Sequence, residues 1–181
     1  MKKSVSVFLF LLFIRISAQT DVDEKVFIKE KIAISFQKIK DLGEDIPNYH
    51  LTITKDRKII FEDSVYSKIG EMTLQDFNGD GIRDILIQNA SDVRSNFTYF
   101  LYLYDLKNKN FRKVKNFETI KNPEYNQDYK LIESYVMSGR DYIKFYKIKG
   151  NQIQDLKLLI YDDHLDNDDN GYQDALEKLS R

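Results

Sequence analysis

The chain of 181 residues has no cysteine, no tryptophan, two histidines, two prolines and seven glycines. Without cysteine there are no disulfides, no thiol nucleophile and no cysteine-bound zinc. His50 and His164 stand far apart in sequence, so neither a zinc site nor a Ser-His-Asp triad finds support. The scarcity of proline and glycine excludes collagen-like and low-complexity chains. A glycine-rich phosphate loop is also lacking. Charge of one sign is missing too: 28 basic residues face 29 acidic ones, for a net charge of −1. A nucleic-acid-binding domain would carry a basic face, so that class is set aside.

What is present begins with the leader. Met1, Lys2 and Lys3 are followed by an apolar run from Val5 to Ile14 and then by Ile16-Ser17-Ala18. A basic start, an apolar middle and small residues before a cleavage point make a secretory signal peptide, residues 1–18. The run ends at Arg15 and is too short to span a bilayer, and no other segment approaches that length. The expected product is therefore periplasmic or secreted, with no membrane span. Loss of Lys2, Lys3 and Arg15 takes the net charge from −1 to −4, because every acidic residue lies beyond the leader. Residues 19–181 are read as a single β domain, taken as a monomer.

Alternation of apolar and polar residues dominates that domain, and 12 tyrosines and 12 phenylalanines favour strands. Ile32, Ile34 and Phe36 share one face of a strand. Tyr49 to Thr54 and Ile59 to Phe61 form two strands around a Lys55–Lys58 turn. Phe97 to Tyr104 returns through Phe111 to Val114. Tyr129 to Val136, Tyr142 to Ile148 and Ile153 to Tyr161 follow, bounded by Gly, Asn, Asp or Ser. Helix is scarce, with one last turn expected over Leu176 to Arg181. This predicts an all-β, antiparallel meander of propeller-like type, with a β-sandwich or barrel as the alternative.

Two acidic segments carry metal chemistry. In Asp76-Phe77-Asn78-Gly79-Asp80-Gly81-Ile82-Arg83-Asp84, oxygen side chains occupy positions one, three, five and nine, with glycine at six. Calcium takes six to eight oxygens from a loop that bends sharply, which this spacing provides. Asp76, Asn78 and Asp80 are the expected direct ligands, Ile82 offers its carbonyl, and Asp84 binds directly or through water. Position twelve is Ile87, not the glutamate of a helix-loop-helix hand, and strands flank the loop. The loop resembles those of FG-GAP or VCBS-type propeller repeats. A second EF-hand-like match, 166–177, places Asp166, Asp168, Asn170, Asp174 and Glu177 at ligand positions, although a solvated acidic tail would read the same way. Exported modules bind calcium with dissociation constants on the order of 10⁻⁴–10⁻³ M, which suits a structural role.

No group of residues fulfils the roles of an active site, so a binding protein and not an enzyme is expected. The candidate contact loop is Ser138-Gly139-Arg140-Asp141-Tyr142. Its Ser-Gly-x-x-Tyr order resembles the motif that bacterial lysozyme inhibitors present on a protruding loop. Tyr146-Lys147-Ile148-Lys149-Gly150 is a degenerate form of a second motif of some such inhibitors. From about Met72 to Asp162 the chain is similar to a periplasmic family that combines an FG-GAP-like calcium loop with this inhibitory loop. Its best-known members are immunity proteins against a peptidoglycan-hydrolysing effector of a type IV secretion system. The shared order includes the aromatic hairpin and an Asn122-Pro123-Glu124-Tyr125 loop.

The resemblance implies a propeller-like fold and a lysozyme-like peptidoglycan hydrolase as protein partner. Ser138 would engage a catalytic carboxylate, Tyr142 would anchor in the cleft, and Arg140 would add a charge contact, with Gly139 shaping the turn. The other reading is a calcium-dependent adhesion or glycan-binding module, its groove built from Tyr99, Tyr102 and Tyr104.

Overall fold

Side chains alternate across a strand, so the burial of successive residues shows which faces are covered. The structure, a computed structural model, describes residues 27–40, 43, 46–162 and 171–180. The leader and residues 163–170 lie outside these. Eleven strands are formed among the described residues: β1 (Ile32–Lys38), β2 (Tyr49–Lys55), β3 (Lys58–Val65), β4 (Met72–Gln75), β5 (Asp84–Ser91), β6 (Phe97–Asp105), β7 (Asn110–Lys113), β8 (Pro123–Asn126), β9 (Leu131–Val136), β10 (Tyr142–Lys149) and β11 (Gln152–Tyr161). They make three antiparallel sheets, β1-β2-β3, β4-β5-β6-β7 and β8-β9-β10-β11, each a meander of chain neighbours. No barrel closes among the described strands, and the all-β class with little helix is observed.

The first hairpin shows how local chemistry sets register. Lys55 pairs with Lys58, and the two residues between them, Asp56 and Arg57, both have positive φ, 48° and 66°. That is the twist a two-residue turn needs to match the strands it joins.

The second sheet is covered on both sides. Ile85, Ile87, Tyr102 and Tyr104 pack with Leu51, Ile53 and Val65 of the first sheet. Their neighbours Leu86, Leu101 and Leu103 turn the other way, onto Ile132 of the third sheet and onto Phe77, Phe117 and Ile120. Five consecutive residues at the start of β5, Asp84 to Gln88, are accordingly buried. The outer face of the third sheet carries Leu131 and Phe145, which meet Leu176 of a helix, α1 (Gly171–Ser180). The Tyr172 hydroxyl donates to Glu133 on β9 (2.8 Å) and fixes the helix there.

Three sequence expectations are corrected. Pro123 to Asn126 is an edge strand and not a loop: its proline needs no ladder donor at an edge, and Pro123 pairs with Ser134. The helix at the end is longer than one turn, beginning at Gly171, inside the second acidic segment. Tyr102 and Tyr104 are core residues, 0% and 2% exposed, and do not line a surface groove with Tyr99.

Candidate functional site

The loop between β4 and β5 is built on its own carboxylates. Asp76 accepts the Gly79 amide on Oδ1 (2.7 Å) and the Gly81 amide on Oδ2 (2.9 Å). Asn78 Oδ1 accepts the amide of Asp80, and Asp80 Oδ1 accepts that of Ile82, both at 2.9 Å. Gly79 and Gly81 hold φ of 71° and 81°, a region that costs other residues strain. The Tyr125 hydroxyl, from β8, donates to the carbonyl of Asn78 (3.0 Å) and so ties the loop to the third sheet.

Asp84 has a different office from that of a surface ligand. It is 0% exposed. Its Oδ2 accepts the Phe77 amide and its Oδ1 that of Tyr104, each at 2.9 Å, so it staples the loop to β6. Burial, reinforced by the charges of Asp80 and Asp76, pushes its carboxyl up to about 7, against the opposing pull of those two amides. As placed, these oxygens serve loop amides, and among the described residues no three His, Asp or Glu side chains converge as a metal-holding group. The donor chemistry nonetheless fits calcium: hard oxygens alone, with the charges of Asp80 and Asp76 set against the buried Asp84, a repulsion that a divalent cation relieves.

In the second acidic segment, Asp166, Asp168 and Asn170 lie outside the described residues. Asp174 and Glu177 sit exposed on α1.

The Ser138–Tyr142 segment joins β9 to β10 at one end of the third sheet. Ser138, Gly139 and Arg140 are exposed and Tyr142 is half-buried. Asp141 shapes the turn from within: its Oδ1 accepts the amides of Ser138 (2.8 Å) and Gly139 (3.3 Å). Those bonds, the Ser138 amide foremost, hold its carboxyl below the usual range. The Ser138 hydroxyl donates to the carbonyl of Arg140 (2.6 Å). The Arg140 guanidinium lies over the Tyr161 ring at 3.7 Å, and that ring meets Tyr142 edge-on at 6.3 Å. Behind the turn, Tyr135 is placed to donate to Asp162 (2.6 Å) or Asp141 (3.2 Å). Ser138, Gly139 and Arg140 therefore occupy one exposed, internally bonded turn, and the half-buried Tyr142 opens β10 at its end.

Sequence reasoning missed the residues that brace it. Asn96, 1% exposed, lies on the β5–β6 connection of the second sheet. It donates to the Met137 carbonyl and accepts the Met137 amide, both at 2.9 Å. Asn122 donates to Asn96 and to the carbonyl of Tyr135. An asparagine with a partner 41 residues away leaves no local pattern in the chain.

The degenerate second motif is the end of β10: Lys147 donates to the carbonyl of Leu179 and Gly150 accepts from Arg112. His50 is half-buried on β2, between Ser64 and Glu62. Aromatics of another set, Phe97, Tyr99 and Tyr125, line a groove of about 580 Å³ between the second and third sheets, with Glu71, Gln75 and Glu124. No helix among the described residues is long and apolar enough to cross a membrane.

No protein-family model matches the chain, and no curated protein matches it. Among solved structures, one described as a Xanthomonas type IV secretion system related protein is 18% identical, over 68% of this chain and 75% of that one, with a TM-score of 0.47. A likeness this distant fixes neither fold nor function.

Proposed function

We propose that this is an exported, calcium-stabilised binding protein that inhibits a lysozyme-like peptidoglycan hydrolase through the Ser138–Tyr142 turn. The observation that carries the reading is the turn itself: exposed at its tip, yet bonded from within by Asp141 and from below by Asn96. A loop already held in its binding shape loses little entropy on docking. Ser138 would exchange the carbonyl of Arg140 for a catalytic carboxylate of the enzyme. Tyr142 supplies a stiff aromatic anchor and Arg140 a cation for an acidic cleft. Glycoside hydrolases work with paired carboxylates, the chemistry such a loop would occupy. Calcium at Asp76, Asn78, Asp80, Ile82 and Asp84 would stiffen the junction of the second and third sheets without touching the target.

The test is lysis of cell-wall suspensions by a panel of lysozymes, with the mature protein and calcium added. Wild type should inhibit at least one, and Ser138→Ala/Tyr142→Ala should not. A folded wild type that inhibits none would sink the reading. The groove of Phe97, Tyr99 and Tyr125, with its carboxylates, would then make a glycan-binding module the better account.

A further inference from the structure

The β5–β6 connection, residues 92–96, stands beside the Ser138–Tyr142 turn and is built in the same manner. Asp92 Oδ1 accepts the amides of Arg94 (2.9 Å) and Asn96 (3.1 Å). Its Oδ2 accepts from Asn96 Nδ2 (2.9 Å) and from Lys121 (2.8 Å). The backbone closes the loop with Ser95 donating to the carbonyl of Asp92 (3.1 Å), and Ser95 takes a φ of 61°. At the tip of this stiff loop stands Val93, 101% exposed, the most exposed of the large apolar residues described. A flexible loop can fold such a residue away; one held by this many bonds keeps it in water.

The two loops are one edge. Asn96 bonds both the amide and the carbonyl of Met137. A Cβ on Gly139 would lie 3.0 Å from Arg94 Nη1, so the guanidinium rests against the tip of the neighbouring turn. The acids of this edge are engaged within it, Asp92 by Lys121 and Asn96, Asp141 by the amides of Ser138 and Gly139, and Asp162 by Tyr135. The cations Arg94 and Arg140 stand on exposed residues beside them.

We infer that the binding surface is a double loop, in which Val93 and Arg94 contact the same partner as Ser138, Gly139, Arg140 and Tyr142. The occupant this edge fits is a protein cleft lined by carboxylates, with an apolar shelf at its rim for Val93. This inference rests on the inhibitor reading and extends it by a second contact element. Arginine and tyrosine are among the residues that carry binding energy in protein interfaces when water is excluded, and Val93 adds apolar area to be buried beside them. The second loop also makes specificity separable from the common turn: a partner without the shelf, or with a basic rim, would be refused by it.

The test uses the mature protein with calcium and the lysozyme it inhibits best. Val93→Asp and Arg94→Glu should each raise the inhibition constant about tenfold or more, with the melting temperature unchanged. Because Arg94→Glu sets a new acid beside Asp141, Arg94→Gln is measured as well and should weaken inhibition in the same direction. Variants within about twofold of wild type, while Ser138→Ala/Tyr142→Ala abolishes inhibition, would overturn the second contact and leave the first intact. A wild type that inhibits no hydrolase would overturn both, so the two failures are told apart.

Discussion

Asn96→Ala should unfasten the contact edge and cost the fold measurably. The side chain is 1% exposed. Its Oδ1 accepts from Met137 (2.9 Å) and Asn122 (3.1 Å), and its Nδ2 donates to the Met137 carbonyl (2.9 Å) and to both oxygens of Asp92 (3.1 and 2.9 Å). Alanine removes all of these and leaves groups on two sheets unpaired. Neutral bonds contribute roughly 1 kcal/mol each, a bond to a charged acceptor about twice that, and Met137 and Asp92 recover part by meeting water. The expected loss is about 3 kcal/mol. For a domain of this size each kcal/mol shifts the melting temperature by about 2–4 °C, so a fall of roughly 6–12 °C is predicted. Urea unfolding gives the free energy directly, and amide exchange at Met137 and Ser138 reports the edge alone. A loss below about 1 kcal/mol, with those two amides still protected, would refute the claim that Asn96 braces both loops.

Three further outcomes follow from the geometry. Calcium at about 10 mM should stabilise the protein by about 1.4–2.7 kcal/mol for dissociation constants of 10⁻³–10⁻⁴ M, and Asp76→Asn should reduce the gain; a melting curve indifferent to calcium would remove the ion from the account. Gly79→Ala should cost about 2–3 kcal/mol, since alanine strains at φ 71° and its Cβ would lie 2.7 Å from the Tyr125 hydroxyl, while Tyr125→Phe should cost only about 1 kcal/mol by urea unfolding; equal losses would contradict this. The carboxyls of Asp92 and Asp141 are held below their usual range, Asp92 chiefly by Lys121 and Asp141 chiefly by the Ser138 amide. Depressed acids stabilise above the unfolded value, about 3.9, and that contribution is lost as pH falls through the folded values. Amide protection in the two loops should therefore hold from pH 7 to about 4 and decay below it; decay already between pH 7 and 5 would count against the arrangement.

The strand content was legible because alternation is local. Ile32, Ile34 and Phe36 do form β1, and the hairpins at 55–58 and 105–110 close where polar residues interrupt the pattern. Pro123 to Asn126 looked like a loop because proline and asparagine signal turns, while its pairing with β9 is a tertiary fact. The aromatics of β6 look alike in sequence. Which of them face the first sheet and which the third is decided by the sheets that cover them. At the candidate site, spacing marked the Asp76–Asp84 loop, and the Ser-Gly pair marked the turn between β9 and β10. Nothing in the spacing could mark the bonds of Asn96 to Asn122, of Asn96 to Met137 and of Tyr125 to Asn78, which span 26, 41 and 47 residues. Nor could it show that Asp84 is a buried staple.

The meander order has a kinetic consequence. Within each sheet every described strand pairs only with chain neighbours, so the ladders have short sequence separation, and chains of that kind fold faster than β proteins with distant pairings. The second sheet can thus assemble early, from a stretch of about 40 residues, with hydrophobic side chains on both faces. Until its two covers arrive it is adhesive on either side, the condition under which partly folded chains associate. The rate at which the first and third sheets dock, and not the rate at which hairpins form, should then govern how much protein is recovered on refolding at high concentration.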